Sequence, residues 1–161
     1  MARQATLVLL KPDAMQRGMA GAVFSRLEPL RLEVIGAKVV RPARVLAEEH
    51  YQNIRGKAFF DETVDYLQGK FHGGSPVLAF VLWGEDAIER VRQIVGATHP
   101  EKADPQSIRG VFGRMRTGGL MENTIHASSD IRDAEREIRL WFKPSELLQD
   151  PFPAGQRVGA P

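Results

Sequence analysis

Thr6-Leu7-Val8-Leu9-Leu10, closed by Lys11-Pro12-Asp13, is the stretch whose reading decides the fold. An uncharged run with no polar alternation matches a strand buried on both faces. Lys11-Pro12-Asp13 ends it sharply, because proline lacks the N–H that a central ladder needs. From Gly18 the pattern turns helical, with Val23, Leu27 and Leu30 spaced i, i+4, i+7. Val34 to Val40 reads as a second strand. Residues 43–54 and 59–67 read as two helices joined by Arg55-Gly56-Lys57, and Pro76 to Trp83 as a third, nearly all-apolar strand. Asp86 is placed to cap a helix to about Val95, with Ile88, Val91 and Ile94 or Val95 facing inward. Residues 98–113 are irregular, broken by Pro100 and Pro105. Thr124 and Ile125 suggest a fourth strand that stops at His126, and 130–142 reads as the last helix. Strands and helices in this order predict an α/β (α+β) fold, a ferredoxin-like βαββαβ sandwich: a four-stranded antiparallel sheet with helices packed on it.

The 161 residues, 43% hydrophobic, suffice for one domain with a full core. Residues 1–148 read as that domain and 149–161 as a Pro/Gly-rich tail; from Lys143 the chain reads as a short helical turn followed by extended surface chain. Net charge is only +2, so no general affinity for polyanions follows. The lack of cysteine fits a reducing compartment and rules out disulfides and thiolate metal sites. No stretch has the make-up of a signal peptide or a membrane span, and the expected location is cytoplasmic.

Asn123-Thr-Ile-His-Ala-Ser128, with Glu137 eleven residues after the histidine, is the richest stretch chemically. Positions 130, 134, 137 and 141 share one helix side, so Glu137 sits among groups that should face the core. A carboxylate there needs a partner, and a histidine at an adjacent strand end is a suitable one. Such a pair suits nucleophilic or acid–base work, or is simply a buried histidine satisfied by hydrogen bonds. Familiar phosphate loops are missing: neither Gly-x-x-x-x-Gly-Lys-Ser/Thr nor Gly-x-Gly-x-x-Gly occurs. His50, His72, His99 and His126 have no metal-ligand spacing, and no Gly-x-Ser-x-Gly elbow is present. Lys11, Arg92 and Arg109 stand at element edges, where each alone reads as an ordinary surface charge.

Taken together, the segments Thr6–Asp13 with Gln16-Arg17-Gly18, Glu49-His50-Tyr51, Phe59-Phe60, Ile94–Pro100, Ser107–Gly110, Asn123–Ser128 and Ala134–Phe142 show that the chain resembles the nucleoside diphosphate kinase family from about Thr6 to Leu148. The resemblance implies ping-pong transfer of a γ-phosphoryl group from a nucleoside triphosphate to a diphosphate, through a phosphohistidine on His126, with broad base specificity. It implies that Glu137 steadies the imidazole, directly or through Ser128. Tyr51 and Lys11 match residues beside the transferring group. Lys11 and Asn123 match those that meet ribose and phosphates, and Arg92, Thr98 and Arg109 match the phosphate cradle. Phe59 matches the aromatic under the base, and Leu120 takes the apolar position on the rim. Mg2+ is expected on the nucleotide phosphates, with no metal held by the protein itself. The implied assembly is a homo-oligomer, a hexamer or a tetramer built from dimers; neither membrane nor nucleic acid is an expected partner.

Three departures from the family pattern stand out. Ser129 replaces the usual acid after the His-Ala-Ser run, and segments 67–75 and 113–120 are longer than usual. Two other readings share the residues: a nucleotide- or nucleic-acid-binding regulator without turnover, and a phosphotransferase passing phosphate from His126 to another protein.

Overall fold

Alternation along β1 (Arg3–Leu10) explains why its apolar run is continuous. Ala5, Leu7 and Leu9 enter one core cluster, while Val8 and Leu10 enter the other. Burying such aliphatic side chains stabilises by about 1.5–3 kcal/mol each, before the entropy of ordering the chain is subtracted. The computed structural model describes residues 2–153. After β1 come α1 (Pro12–Gln16), α2 (Ala20–Leu27), β2 (Glu33–Val40), α3 (Arg44–His50), α4 (Phe60–Leu67), β3 (Val77–Glu85) and α5 (Ala87–Val95). The chain continues with α6 (Ile108–Phe112), the short strands β4 (Arg114–Met115) and β5 (Met121–Glu122), then β6 (Ile125–Ala127) and α7 (Ile131–Trp141).

The main sheet runs β2-β3-β1-β6 with every neighbouring pair antiparallel, the expected four-stranded ferredoxin-like arrangement. Its two faces are both covered. Ala47 of α3, Val64 and Leu67 of α4, and Ile138 and Trp141 of α7 pack on the Leu7–Leu9 side. Val23 and Leu27 of α2, Val91 and Val95 of α5, and Ile108 of α6 pack on the Val8–Leu10 side. This two-sided burial is why β1 carries no polar stripe.

Several local expectations change. Pro12 opens α1 directly after β1, since a proline at the first helical position loses no hydrogen bond there. The helix expected over 43–54 is α3 followed by a 3₁₀ turn at Gln52–Ile54, with Tyr51 between them at φ −97°, ψ 24°. Asp86 does not cap α5: its backbone is left-handed (φ 47°) and its side chain accepts no cap hydrogen bond. The irregular stretch contains α6, whose N-cap Ser107 accepts from the Gly110 N–H at 3.1 Å. Beyond α7, Pro144–Glu146 makes the short helical turn, Leu148 N–H donates to Ile35 C=O at 2.8 Å, and Phe152 packs on the core. The rest of the expected tail, 154–161, lies outside the described residues. Among the described residues no helix is long and apolar enough to cross a membrane.

Candidate active site

β6 is three residues long, and its alternation does the positioning. Ile125 and Ala127 are buried in the cluster on the Val8–Leu10 side, so His126, paired opposite Leu9, points to the face that α7 and α3 cover. His126 is therefore the middle residue of its strand, not the residue at which the strand stops. Thr124 is not in the strand at all, because its backbone is left-handed at φ 70°. That geometry costs a β-branched residue about 1–3 kcal/mol. Two bonds hold it there: Thr124 Oγ1 donates to Asp13 Oδ2 at 3.2 Å, and Thr124 C=O accepts the Lys11 N–H at 2.8 Å. The bend turns Asn123 toward Lys11, whose Nζ donates to Asn123 Oδ1 at 2.7 Å; Asn123 Nδ2 in turn donates to Thr98 C=O at 3.1 Å.

Glu137 faces the core from α7, whose N-cap Asp130 accepts the Asp133 N–H at 2.9 Å. The carboxylate needs partners there: two hydrogen bonds reach Oε2, and Arg136 Nη2 lies 3.6 Å from Oε1. His126 Nε2 lies 2.9 Å from Glu137 Oε2, and Ser128 Oγ donates to the same oxygen at 2.7 Å. Ser128 Oγ also accepts the Leu7 N–H at 3.1 Å, which ties the pair to the central strand. A carboxylate can only accept, so the imidazole proton sits on Nε2 and the lone pair is left on Nδ1. Burial, with Lys11 and Arg109 nearby, holds the His126 pKa well below its ordinary value, so the ring is neutral. Burial also raises Glu137 above the usual carboxylate range, opposed by His50 and the Ser128 hydrogen bond.

A cavity of about 430 Å³ opens over this pair. Lys11, Tyr51, Phe59, Arg92, Thr98, Arg109, Leu120, Asn123, His126 and Glu137 all line it. Of the residues singled out from sequence only Ser128 is outside the lining, buried behind Glu137. Phe59 is 53% exposed at the wall, an open apolar face. Arg109 is fixed by donating to Gly96 C=O at 3.0 Å and Ile125 C=O at 2.8 Å. Burial lowers it to about 10, so it remains a cation. Burial and then Arg109 bring Lys11 down to about 7. Burial pushes the Tyr51 hydroxyl well above the ordinary phenol range, so it stays an O–H donor. A fixed guanidinium at Arg109, with Arg92 and a Lys11 amine poised to gain charge, around a neutral nucleophile describes a site for a polyanion whose charge shifts during reaction. A larger open groove of about 980 Å³ shares Arg92 and Ser129 but not the His126–Glu137 pair.

His50 was missed as a site residue. Its ring meets His126 edge-to-face, centroids 4.4 Å apart, and its Nδ1 accepts the Trp141 Nε1–H at 3.2 Å. Indole can only donate, so His50 carries its proton on Nε2. Burial and then His126 hold it well below its ordinary pKa. Among the described residues His50, His126 and Glu137 form the one group of three metal-ligand types, their atoms within 4.8 Å. The Trp141 bond works against a metal there, because it occupies Nδ1 and leaves Nε2 protonated. The available signal was helical spacing: Trp141 stands one turn after Glu137, and Ala47 and His50, i and i+3, face inward on α3.

The nucleoside diphosphate kinase family model matches residues 4–147. A nucleoside diphosphate kinase from Desulfitobacterium hafniense is 42% identical over 142 residues, covering 88% of this chain and 89% of that protein. One from Pyrococcus horikoshii is 44% identical over 146 residues, covering 91% and 89%. Among solved structures, the Borrelia burgdorferi nucleoside diphosphate kinase with bound vanadate and ADP superposes with a TM-score of 0.81 at 36% identity, covering 92% of each chain. The Halobacterium salinarum enzyme in complex with CDP gives 0.81 at 40% identity, covering 91% of each. Fold and sequence therefore agree: this chain belongs to the nucleoside diphosphate kinase family of phosphotransferases.

Proposed function

We propose that the chain transfers the γ-phosphoryl group of a nucleoside triphosphate to a nucleoside diphosphate in two steps, with His126 as carrier. The observation that carries this is the His126 imidazole, held through Nε2 by Glu137 and left with its Nδ1 lone pair, in a cavity lined by Lys11, Arg92 and Arg109. In the first step Nδ1 forms a bond to the γ-phosphorus while the bond to the bridging oxygen breaks, its electron pair leaving with the diphosphate. In the second, a terminal oxygen of an incoming diphosphate takes the group back and the lone pair returns to Nδ1. Little covalent work falls on other residues. Lys11, Tyr51, Arg92, Thr98, Arg109 and Asn123 would position the phosphates and ribose and offset developing charge. Glu137 stabilises the positive ring that forms as phosphorus is bonded, and Ser128 fixes Glu137.

Mg2+ belongs in this reading as part of the nucleotide, where it partly neutralises the phosphates. The carboxylates lining the cavity are Glu62, Asp133 and Glu137. Glu137 is engaged by His126 and Ser128, and Asp133 by Ser129 and Arg136, which fits a metal carried in on the substrate. Phe59 and Leu120 offer apolar faces that any base can use, so base preference should be weak. The purine and the pyrimidine nucleotide named for the two solved relatives support that breadth. A homo-oligomer, a hexamer or tetramer of dimers, is part of the same proposal; β2 at the sheet edge, with Val39 62% exposed, supports an association surface. So are a cytoplasmic location and a division into a catalytic unit at 1–148 and a tail at 149–161.

The test is to incubate the protein with γ-labelled ATP, then add a nucleoside diphosphate. Label should appear on His126, be acid-labile and base-stable, and pass to the diphosphate. His126→Ala should abolish both events with the fold retained. Stoichiometric labelling of that variant, or label that stays on the protein, would refute the mechanism.

A further inference from the structure

β4 and β5 are two residues each, much shorter than a hairpin that could hold itself in water. Yet the turn between them and the first residue of β5 bring Gly119, Leu120 and Met121 into the cavity wall. Its anchor lies at the end of β5. Glu122 is 0% exposed and accepts from His72 Nε2 at 2.8 Å and from Arg114 Nε, with Arg116 Nη1 3.7 Å away. Burial pushes the Glu122 pKa up, but the Arg114 and His72 hydrogen bonds outweigh it and hold the carboxyl below its ordinary value.

His72 is 2% exposed and comes from the turn after α4. That turn closes through Gly69 N–H to Tyr66 C=O at 2.9 Å and Gly74 N–H to Gly69 C=O at 3.0 Å. Gly69 is required there: its φ is +75°, and an added Cβ would fall 2.4 Å from the Ser75 carbonyl oxygen. The clasp also reaches the interior. The His72 ring packs on Tyr66 with centroids 5.4 Å apart, and Tyr66 Oη donates to Asp13 Oδ1 at 2.5 Å, the carboxylate that braces Thr124. Asn123, the partner of Lys11, directly follows Glu122. Segment 67–75, long for the family, thus meets at one buried His–carboxylate contact the strand that follows the other long segment, 113–120, whose Arg114 shares the same carboxylate beside the cavity.

We propose that His72 and Glu122 act as positioning residues, a clasp that fixes the 114–122 hairpin as the rim of the nucleotide cavity and thereby sets nucleotide affinity without acting on His126. The inference rests on the reading of the cavity as the nucleotide site. Removing the His72 donor frees the hairpin, so the rim must be ordered by the nucleotide at the expense of binding. Phosphoryl transfer, once the nucleotide is bound, proceeds as before.

Steady-state kinetics of the wild type, His72→Leu, His72→Gln and Glu122→Gln test this, with thermal melting and amide hydrogen exchange on the same samples. His72→Leu should raise KM for tri- and diphosphates about tenfold, equivalent to about 1.4 kcal/mol, with kcat within about twofold. Exchange should speed up at 116–121 and not in β6 or α7. His72→Gln, whose amide can still donate to Glu122, should restore most of the affinity. Should His72→Leu fail to fold, Glu122→Gln, which keeps the volume and removes the charge, should show the same KM effect. A lower melting temperature with unchanged KM, or a loss confined to kcat, would overturn the clasp. If the wild type neither bound nor turned over nucleotide, the cavity reading itself would fall and the clasp with it. Wild-type turnover with unmoved KM in the variants refutes the clasp alone.

Discussion

Binding of a nucleotide should draw a proton onto Lys11, and the amount should depend steeply on pH. Lys11 is 5% exposed, and burial first, then Arg109, bring its pKa from 10.5 down to about 7, opposed by Asp13. Its hydrogen bond to Asn123 is to a neutral group and does not recover the lost hydration. Phosphates laid against Nζ favour the ammonium and move the pKa back up. With a free-site pKa of about 7, the free protein carries about 0.1 proton on Lys11 at pH 8 and about 0.9 at pH 6. The bound state carries close to one at both, so ADP should take up about 0.9 proton at pH 8 and about 0.1 at pH 6. Affinity follows the same curve: Kd should rise by about tenfold per pH unit above pH 7, to about a hundredfold at pH 9. Complete restoration of the ordinary pKa would correspond to about 5 kcal/mol at about 1.36 kcal/mol per pH unit, an upper bound on what the phosphates can recover here. Arg109, at about 10, stays charged through this window. The assay is calorimetric titration with ADP, which has no γ-phosphoryl group to give His126, in buffers of different ionisation enthalpy. Lys11→Arg is the control, since a guanidinium is charged throughout and should show no such uptake. Uptake near zero at pH 8 in the wild type, or the same uptake in Lys11→Arg, would refute the reasoning.

Glu137→Gln should keep the packing on α7 but lose the charge that favours the developing positive ring, lowering kcat by about tenfold or more while KM moves little; full activity with reduced stability would make the carboxylate structural. Ser129→Asp should change kcat by less than about twofold and cost at most about 1 kcal/mol, because Asp130 already caps α7 and a third carboxylate beside Asp130 and Asp133 adds only repulsion. A tenfold gain in kcat would instead mean that the acid absent from position 129 is catalytic. In nitrogen-15 NMR, His50 should show an unprotonated Nδ1 and a protonated Nε2 with no titration between pH 6 and 8, and Trp141→Phe should release that preference. A His50 ring that titrates near its ordinary value would refute the locked tautomer.

Local chemistry was readable in the chain itself. The uninterrupted Thr6–Leu10 run meant a strand covered on both sides, and clusters on both faces of β1 account for it. The inward face of α7 was equally plain, because it depends on residues within one or two turns of each other. The inference that Glu137 needed a partner was sound for the same reason: a carboxylate on a core-facing stripe announces its own cost. The basic residues around the cavity were another matter. Lys11, Arg92 and Arg109 read singly as surface charges, and only resemblance to a family picked them out. What tertiary structure decided lies in contacts between distant segments. Lys11 meets Asn123 across 112 positions, and Trp141 sets the His50 tautomer across 91. His72 finds Glu122 across 50, tying the long 67–75 segment to the strand at the end of the 114–122 hairpin, a meeting that the length of the segment alone did not announce. Thr124 shows the limit most sharply. A β-branched residue before Ile125 reads as strand, but Asp13 and the Lys11 amide hold it left-handed, and that bend shifts the strand by one residue and places His126 at its centre. Propensity is a sum of small local preferences, and a few hydrogen bonds from elsewhere in the fold outweigh it.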